Sequence, residues 1–124
     1  MREEPASWKH GVVLVCTNER AAGAAKPSCG HDRGLKLRHW LKAACRGEDG
    51  PVSECRVLAT SCLDTCPADG VAVALEPGGR VLVVDPEADG DALLAEVTAH
   101  MQGLAAPTGV RSKARSVLGR LRKG

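Results

Sequence analysis

Four cysteines in this chain fall into two pairs whose spacing is typical of a metal or cluster site. Twelve residues separate Cys16 from Cys29, three separate Cys62 from Cys66, and 32 residues lie between the pairs. Each pair follows a short apolar run of the kind that forms a β-strand. Four thiolates complete the outer coordination of a [2Fe–2S] or a [4Fe–4S] cluster. The pattern therefore predicts an iron–sulfur site with Cys16, Cys29, Cys62 and Cys66 as ligands.

Other cysteine chemistries use different intervals. The chain has no C-x-x-C pair, which a thioredoxin-type redox site requires. It also lacks the C-x2-C-x2-C run of bacterial ferredoxins and the C-x4-C-x2-C run of plant-type ferredoxins. Structural zinc is usually held by two tight knuckles; Cys62 and Cys66 would form one, but the interval from Cys16 to Cys29 is too long for the other. A structural zinc module stays open as an alternative.

Several stretches resemble one known family, the thioredoxin-like [2Fe–2S] ferredoxins, which are related to the small cluster-binding subunit of NADH dehydrogenases. The matching stretches are residues 12–18, residues 28–30, Leu37 with Trp40 and Leu41, and residues 61–66. The resemblance spans about residues 12–101. It implies a [2Fe–2S] cluster on the four cysteines, one-electron transfer between larger redox proteins, and a homodimer. The chain departs from the family at residues 67–70, where a Gly-Pro pair is common, and it lacks the family's later aromatic residues.

The predicted elements explain how distant cysteines meet. Residues 11–15 are a continuous apolar run, as expected of a buried strand. A second strand is predicted at 55–59. Between the two strands, a helix is predicted over about 32–46, because the apolar residues there recur at helical spacing. They are Leu37, Trp40, Leu41, Ala44 and Cys45. Strand, helix and strand of this length predict a parallel pair with a right-handed crossover. Both ligand loops then leave the same edge of the sheet.

The second half of the chain predicts a hairpin and a final helix. Apolar runs at 71–75 and 81–84 flank a Pro-Gly-Gly turn, and a helix is predicted over about 87–102 with an inward face made of Leu93, Leu94, Val97 and Met101. The order is β-α-β-β-β-α. We expect an α/β (α+β) fold of the thioredoxin-like kind, with a small mixed four-stranded sheet and two main helices.

Length and composition predict a single domain with short extensions. The chain has 124 residues, of which 44% are hydrophobic, enough for one core. We assign residues 1–10 to an N-terminal extension, 11–106 to the thioredoxin-like ferredoxin domain, and 107–124 to a basic tail with the spacing of a helix. Trp8 and Trp40 are the only aromatic residues, which disfavours nucleic-acid recognition by base stacking. The start has no signal-peptide pattern and no run is long enough for a membrane span, so we expect a cytoplasmic protein.

Positive charge distinguishes the tail from the rest of the chain. Residues 111–124 contain six of the 17 Lys and Arg residues and no Asp or Glu. Val110, Val117, Leu118 and Leu121 are spaced for a helix whose other face is basic. A solvated tail and a tail that contacts an acidic partner, a nucleic acid or a membrane surface are the alternatives.

Other reactive residue types have structural explanations. Cys45 and Cys55 fall at apolar positions, where cysteine acts as a small hydrophobic residue, and Trp40 is expected in the core. No Ser/His/Asp set or phosphate-binding glycine loop is present, so we expect an electron-transfer protein and not an enzyme. Backbone N–H groups around Gly30 and residues 63–65 are expected to donate to cluster sulfur. An iron–sulfur or redox sensor, or a metal-assembly accessory protein, is the alternative function.

Overall fold

A computed structural model describes residues 1–18, 31–63 and 69–106 of the chain. Its elements are β1 (Val12–Cys16), α1 (His31–Arg46), a short 3-10 helix (Pro51–Glu54), β2 (Arg56–Thr60), β3 (Val71–Glu76), β4 (Arg80–Val84) and α2 (Gly90–Ala105). The predicted order β-α-β-β-β-α is confirmed, and the short helix before β2 is an addition that the sequence reading missed.

The four strands form one mixed sheet in the order β2-β1-β3-β4. The pair β1 and β2 is parallel, in a register that joins Val12 to Arg56 and Cys16 to Thr60. The other neighbouring pairs, β1 with β3 and β3 with β4, are antiparallel. Because β1 and β2 run in the same direction, the loops that follow Cys16 and Thr60 leave the same edge of the sheet.

The core lies between the sheet and the inward faces of both helices. Its buried side chains include Val13 and Val15 from β1, Val73 and Leu75 from β3, and these helical residues: Leu37, Leu41, Leu93, Val97 and Met101. The predicted inward face of the final helix is confirmed at three positions, whereas Leu94 is only half-buried. No helix in the described ranges combines the length and the apolar character needed to cross a membrane.

The prediction that Trp40 lies in the core is wrong. Its side chain is 41% exposed, whereas Leu37, Leu41 and Cys45 on the same helix are buried. A Cβ built on Gly90, the first residue of α2, would lie 3.1 Å from a ring carbon of Trp40. The indole therefore covers the start of α2 at the rim of the core. The apolar face of α1 is wider than the part of that face that the core covers, so Trp40 at its margin stays partly exposed.

The final helix begins three residues later than predicted because a side-chain turn occupies the preceding segment. The Asp85 carboxylate accepts a hydrogen bond from the backbone N–H of Glu87 at 2.9 Å, and the Asp89 carboxylate accepts one from the N–H of Asp85 at 2.9 Å. The backbone carbonyl of Asp89 then accepts the first helical bond, from the N–H of Leu93 at 2.8 Å. Such local side-chain bonds compete with helix formation and favour turns.

Candidate functional site

Two of the predicted ligands, Cys16 and Cys62, lie at one edge of the sheet. Cys16 is the last residue of β1 and is 1% exposed, and Cys62 is half-buried in the loop that leaves β2. The Cys16 Sγ lies 3.7 Å from the backbone carbonyl oxygen of Ser61, to which its thiol donates a hydrogen bond. The buried sulfur of one ligand loop is therefore directed at the backbone next to Cys62 in the other loop.

Hydrogen bonds hold the two ligand loops together where they leave the sheet. The carbonyl oxygen of Thr60 accepts from the backbone N–H of Thr17 at 2.8 Å. It also accepts from the Thr17 hydroxyl at 3.1 Å. Thr17 lies one residue beyond the last paired position of β1, and Thr60 is the last paired residue of β2. The two bonds therefore continue the pairing past Cys16 and limit how far Cys16 and Cys62 can separate.

The first turn of α1 packs against the same edge. A Cβ on Gly34 would collide with the carbonyl oxygen of Cys16, so only glycine allows this approach of the two backbones. The His31 ring Nδ1 lies 3.3 Å from the carbonyl oxygen of Thr17. The N-terminal end of a helix carries a partial positive charge, which favours thiolates and an anionic metal group beside it.

Sequence reasoning missed the role of Gly34, although a signal was present. Glycine in the middle of a helix costs about 1 kcal/mol relative to alanine, so an isolated glycine in a helical pattern often marks a close contact. Gly34 is buried in α1 directly over the ligand loop. Its contact partner, the backbone of Cys16, depends on tertiary structure and cannot be read from spacing.

The other two predicted ligands, Cys29 and Cys66, lie outside the described residues, as do Gly30, residues 64–65 and the basic tail. Among the residues that the structure describes, no three His, Cys, Asp or Glu side chains group as metal ligands. The described part of the site therefore contains two of the four predicted ligand positions, Cys16 at the end of β1 and Cys62 two residues beyond the end of β2. Cys45 and Cys55, predicted as core residues, are buried and half-buried respectively and lie at the other end of α1.

The donor set at this edge suits iron–sulfur ligation. Cysteine thiolates are the usual ligands of such clusters. One described thiol ends β1 and the other lies in the loop that leaves β2, so a four-ligand site can bridge the two segments. Burial of Cys16 keeps water from its thiol, while the half-buried Cys62 lies nearer to the surface. The adjacent N-terminal end of α1 provides a positive electrostatic potential, which favours the negative charge of thiolates.

Comparison with known proteins finds the fold in a characterised ferredoxin. No protein-family model matches the chain, and no curated protein matches it by sequence. The solved structure of a thioredoxin-like [2Fe–2S] ferredoxin from Aquifex aeolicus is 22% identical, with a TM-score of 0.58 over 69% of this chain and 77% of that chain. The wild-type form is 25% identical, with a TM-score of 0.54 over 69% and 82% of the two chains.

A cysteine-to-serine variant of the same Aquifex aeolicus protein is 23% identical, with a TM-score of 0.59 over 80% of this chain and 93% of that chain. The resemblance that the cysteine spacing indicated is therefore confirmed at the level of architecture: this chain has the fold of the thioredoxin-like [2Fe–2S] ferredoxins.

Proposed function

We propose that this chain is a [2Fe–2S] ferredoxin that carries single electrons between larger redox proteins, with Cys16, Cys29, Cys62 and Cys66 as the cluster ligands. The observation that carries the proposal is the parallel register of β1 and β2, which puts Cys16 opposite Thr60, two residues before Cys62. Ligands that are far apart in the chain thereby emerge side by side. The fold that the chain shares with the Aquifex aeolicus ferredoxin supports the same assignment.

The described residues position the ligands and set their environment. A bound [2Fe–2S] cluster supplies reversible one-electron exchange. The threonine bonds between Thr17 and Thr60 hold the ligand loops at a fixed separation, which limits rearrangement when the charge at the site changes. The first turn of α1, in contact through Gly34, presents its positive end to the thiolates. The more exposed Cys62 side is the shorter route to a partner.

The first experiment is to purify the full chain without oxygen and to determine iron, acid-labile sulfide and zinc. About two irons and two sulfides per chain, with a reduced S = 1/2 EPR signal, are expected for a [2Fe–2S] site. Stoichiometric zinc without sulfide, which reconstitution with iron and sulfide does not replace, would contradict the ferredoxin proposal and support the structural zinc module.

The proposal includes a homodimer, with the outer face of β4 as its contact. Val81 and Val83 point away from the core on this edge strand and are 43% and 49% exposed, an unusual position for two large apolar side chains. A second copy would cover them. Sedimentation equilibrium should show a dimer for the wild type and a monomer for Val83→Lys, and a monomeric wild type would contradict this part of the proposal.

The proposed setting is the cytoplasm, where thiols stay reduced. The proposed role of the basic tail, residues 107–124, is to contact an acidic redox partner. Removal of residues 111–124 should leave the cluster spectrum unchanged and should weaken salt-sensitive binding to that partner. Binding that stays the same without the tail would leave the tail as a solvated extension. Tail-dependent binding that changes when the cluster is oxidised would instead favour the sensor function.

A further inference from the structure

A second pair of cysteines lies at the end of α1 that is remote from the proposed cluster. Cys45 belongs to the last turn of the helix and is 2% exposed, and Cys55 directly precedes β2 and packs half-buried against the core. Cys45 and Cys55 both line one open cavity of about 440 Å³, which we name the thiol cavity. The N-terminal extension also lines it, through Ser7 and Trp8.

The thiol cavity is strongly cationic. Five basic side chains and one carboxylate line it: Lys9, Arg38, Lys42, Arg46, Arg56 and Glu54. Glu54 is paired with Lys9 at 3.1 Å, which leaves the other four cations without a carboxylate partner among the described residues. Arg56 donates to the Ser7 hydroxyl at 2.7 Å, which ties the N-terminal extension over the cavity. The cavity therefore offers positive charge beside a pair of thiols.

The two thiols differ in acidity. Interaction with the Cys55 side chain and burial raise the pKa of Cys45 above its ordinary value of 9.0. Interaction with the Cys45 side chain lowers the pKa of Cys55 below 9.0, although burial opposes this shift. Cys55 is thus the thiol that ionises first, and it is also the more accessible of the two.

We propose that Cys45 and Cys55 form a second redox site, a dithiol that a small carboxylate-bearing disulfide oxidises to a Cys45–Cys55 disulfide. This inference goes beyond the electron-carrier function, because the site exchanges two electrons and uses neither the cluster nor its ligands. The oxidant class follows from the charge of the cavity, because its cations attract carboxylates. Among the described residues, neither of the proposed cluster ligands, Cys16 and Cys62, lines this cavity.

The chemistry balances in two exchange steps. The Cys55 thiolate attacks one sulfur of the small disulfide, forms a mixed disulfide and releases one small thiolate. The Cys45 sulfur then attacks the Cys55 sulfur, and its proton passes to the second small thiol as it leaves. The two protein thiols lose two electrons, and the small disulfide gains them as it becomes one thiol and one thiolate.

The test treats the full cluster-loaded chain with oxidised glutathione or with cystamine, a small disulfide of opposite charge. Peptide mass mapping after rapid alkylation should find the Cys45–Cys55 crosslink. Oxidised glutathione should react about tenfold faster than cystamine at low salt, as electrostatic attraction predicts. Cys45→Ser should stop the reaction at a single glutathione adduct on Cys55, because the second exchange step lacks its nucleophile.

Matched charge variants test the role of the cavity. Lys42→Gln with Arg46→Gln should slow the reaction with oxidised glutathione several-fold and leave the cystamine reaction unslowed. Lys36→Gln, an exposed change on the same helix outside the cavity, should alter neither rate. Equal rates for the two disulfides, or a charge variant without effect, would overturn the assignment of the oxidant class.

The second redox site and the proposed cluster site can be tested independently of each other. No crosslink and no adduct on Cys55 in cluster-loaded protein, or adducts confined to the other four cysteines, would overturn the second redox site and leave the cluster assignment intact. A crosslink that forms in a chain without any iron would support the second site while the ferredoxin proposal fails. The iron and sulfide content of each sample therefore accompanies every mass measurement.

Discussion

The two ends of α1 place cysteines in opposite environments. At the N-terminal end, Gly34 contacts the backbone of Cys16, and the ligand loops lie in the field of the positive helix end. At the C-terminal end, Cys45 lies in the last helical turn, where the carbonyl ends disfavour a thiolate. The helix has 16 residues and is about 24 Å long. The opposite charges at the two helix ends therefore separate Cys16, a proposed metal ligand beside the positive end, from Cys45, a thiol near the negative end that keeps its proton.

The largest expected contrast between the two ends is in cluster retention. Cys16→Ser, Cys29→Ser, Cys62→Ser and Cys66→Ser should each lose or strongly alter the cluster, because a thiolate ligand is removed. Cys45→Ala and Cys55→Ala should keep it. Iron and sulfide content, absorption and reduced-state EPR spectra measure the outcome. The reversed pattern would show that the wrong end of the helix had been assigned to the metal.

A backbone contact provides the next contrast. Gly34→Ala should destabilise the protein by about 1–3 kcal/mol, since the added methyl group collides with the carbonyl oxygen of Cys16 and pushes α1 from the ligand loop. Thermal unfolding and cluster content should both report the change.

The matched control for that change is Gly103→Ala in α2. A Cβ there meets no atom within 4 Å, so alanine should stabilise the helix by about 0.5–1 kcal/mol. If Gly34→Ala raised the stability as much as Gly103→Ala does, the close approach of α1 to the cysteine loop would be refuted.

The acidity of Cys55 provides a third, smaller contrast. Alkylation follows the thiolate, so its rate rises with pH through the pKa of the thiol. Because the neighbouring Cys45 lowers the pKa of Cys55, half-maximal alkylation of Cys55 should occur below pH 9.0 in the wild type. Cys45→Ala removes that interaction and should move the midpoint upward. Peptide-resolved alkylation across pH measures both midpoints, and an unchanged midpoint would show that the two thiols are uncoupled.

The order of elements was predictable because strand and helix periodicity act locally. Neighbouring residues alone produce the apolar runs that predict β1 and β3. They also produce the apolar stripe on α1, which consists of Leu37, Leu41 and Cys45. Ligand spacing was equally informative, since the parallel pair needs a crossover and so explains why Cys16 lies far in sequence from Cys62.

Features that depend on tertiary contacts were not predictable. Trp40 fits the apolar stripe of α1, but its ring lies at the rim of the core. The ring packs beside Gly90, the first residue of α2, so the helix covers only one side of it. Cys45 and Cys55 were rightly expected to pack against the core, yet nothing in their spacing indicates a shared cationic cavity. The N-terminal extension lines part of that cavity, and long-range contacts hold it there: Arg56 donates to Ser7, and Lys9 bonds to Glu54.

The smallest expected contrast concerns one hydroxyl at each end of α1. Thr17→Val removes the partly buried bond to the carbonyl oxygen of Thr60, at a cost of about 0.5–1 kcal/mol, because the Thr17 N–H still satisfies that oxygen. Ser53→Ala removes an exposed bond to the carbonyl of Gly50 and should cost less, below about 0.5 kcal/mol.

Thr17→Val and Ser53→Ala should also differ in their effect on the cluster. Thr17→Val loosens the link between the ligand loops, so it should broaden the reduced-state EPR signal or speed cluster loss in air, whereas Ser53→Ala should change neither. Thermal unfolding and the rate of bleaching, measured on both variants, test this difference. If the two variants bleached at the same rate as the wild type, the threonine bond would contribute to stability alone, and the backbone bond between Thr17 and Thr60 would suffice to hold Cys16 beside Cys62.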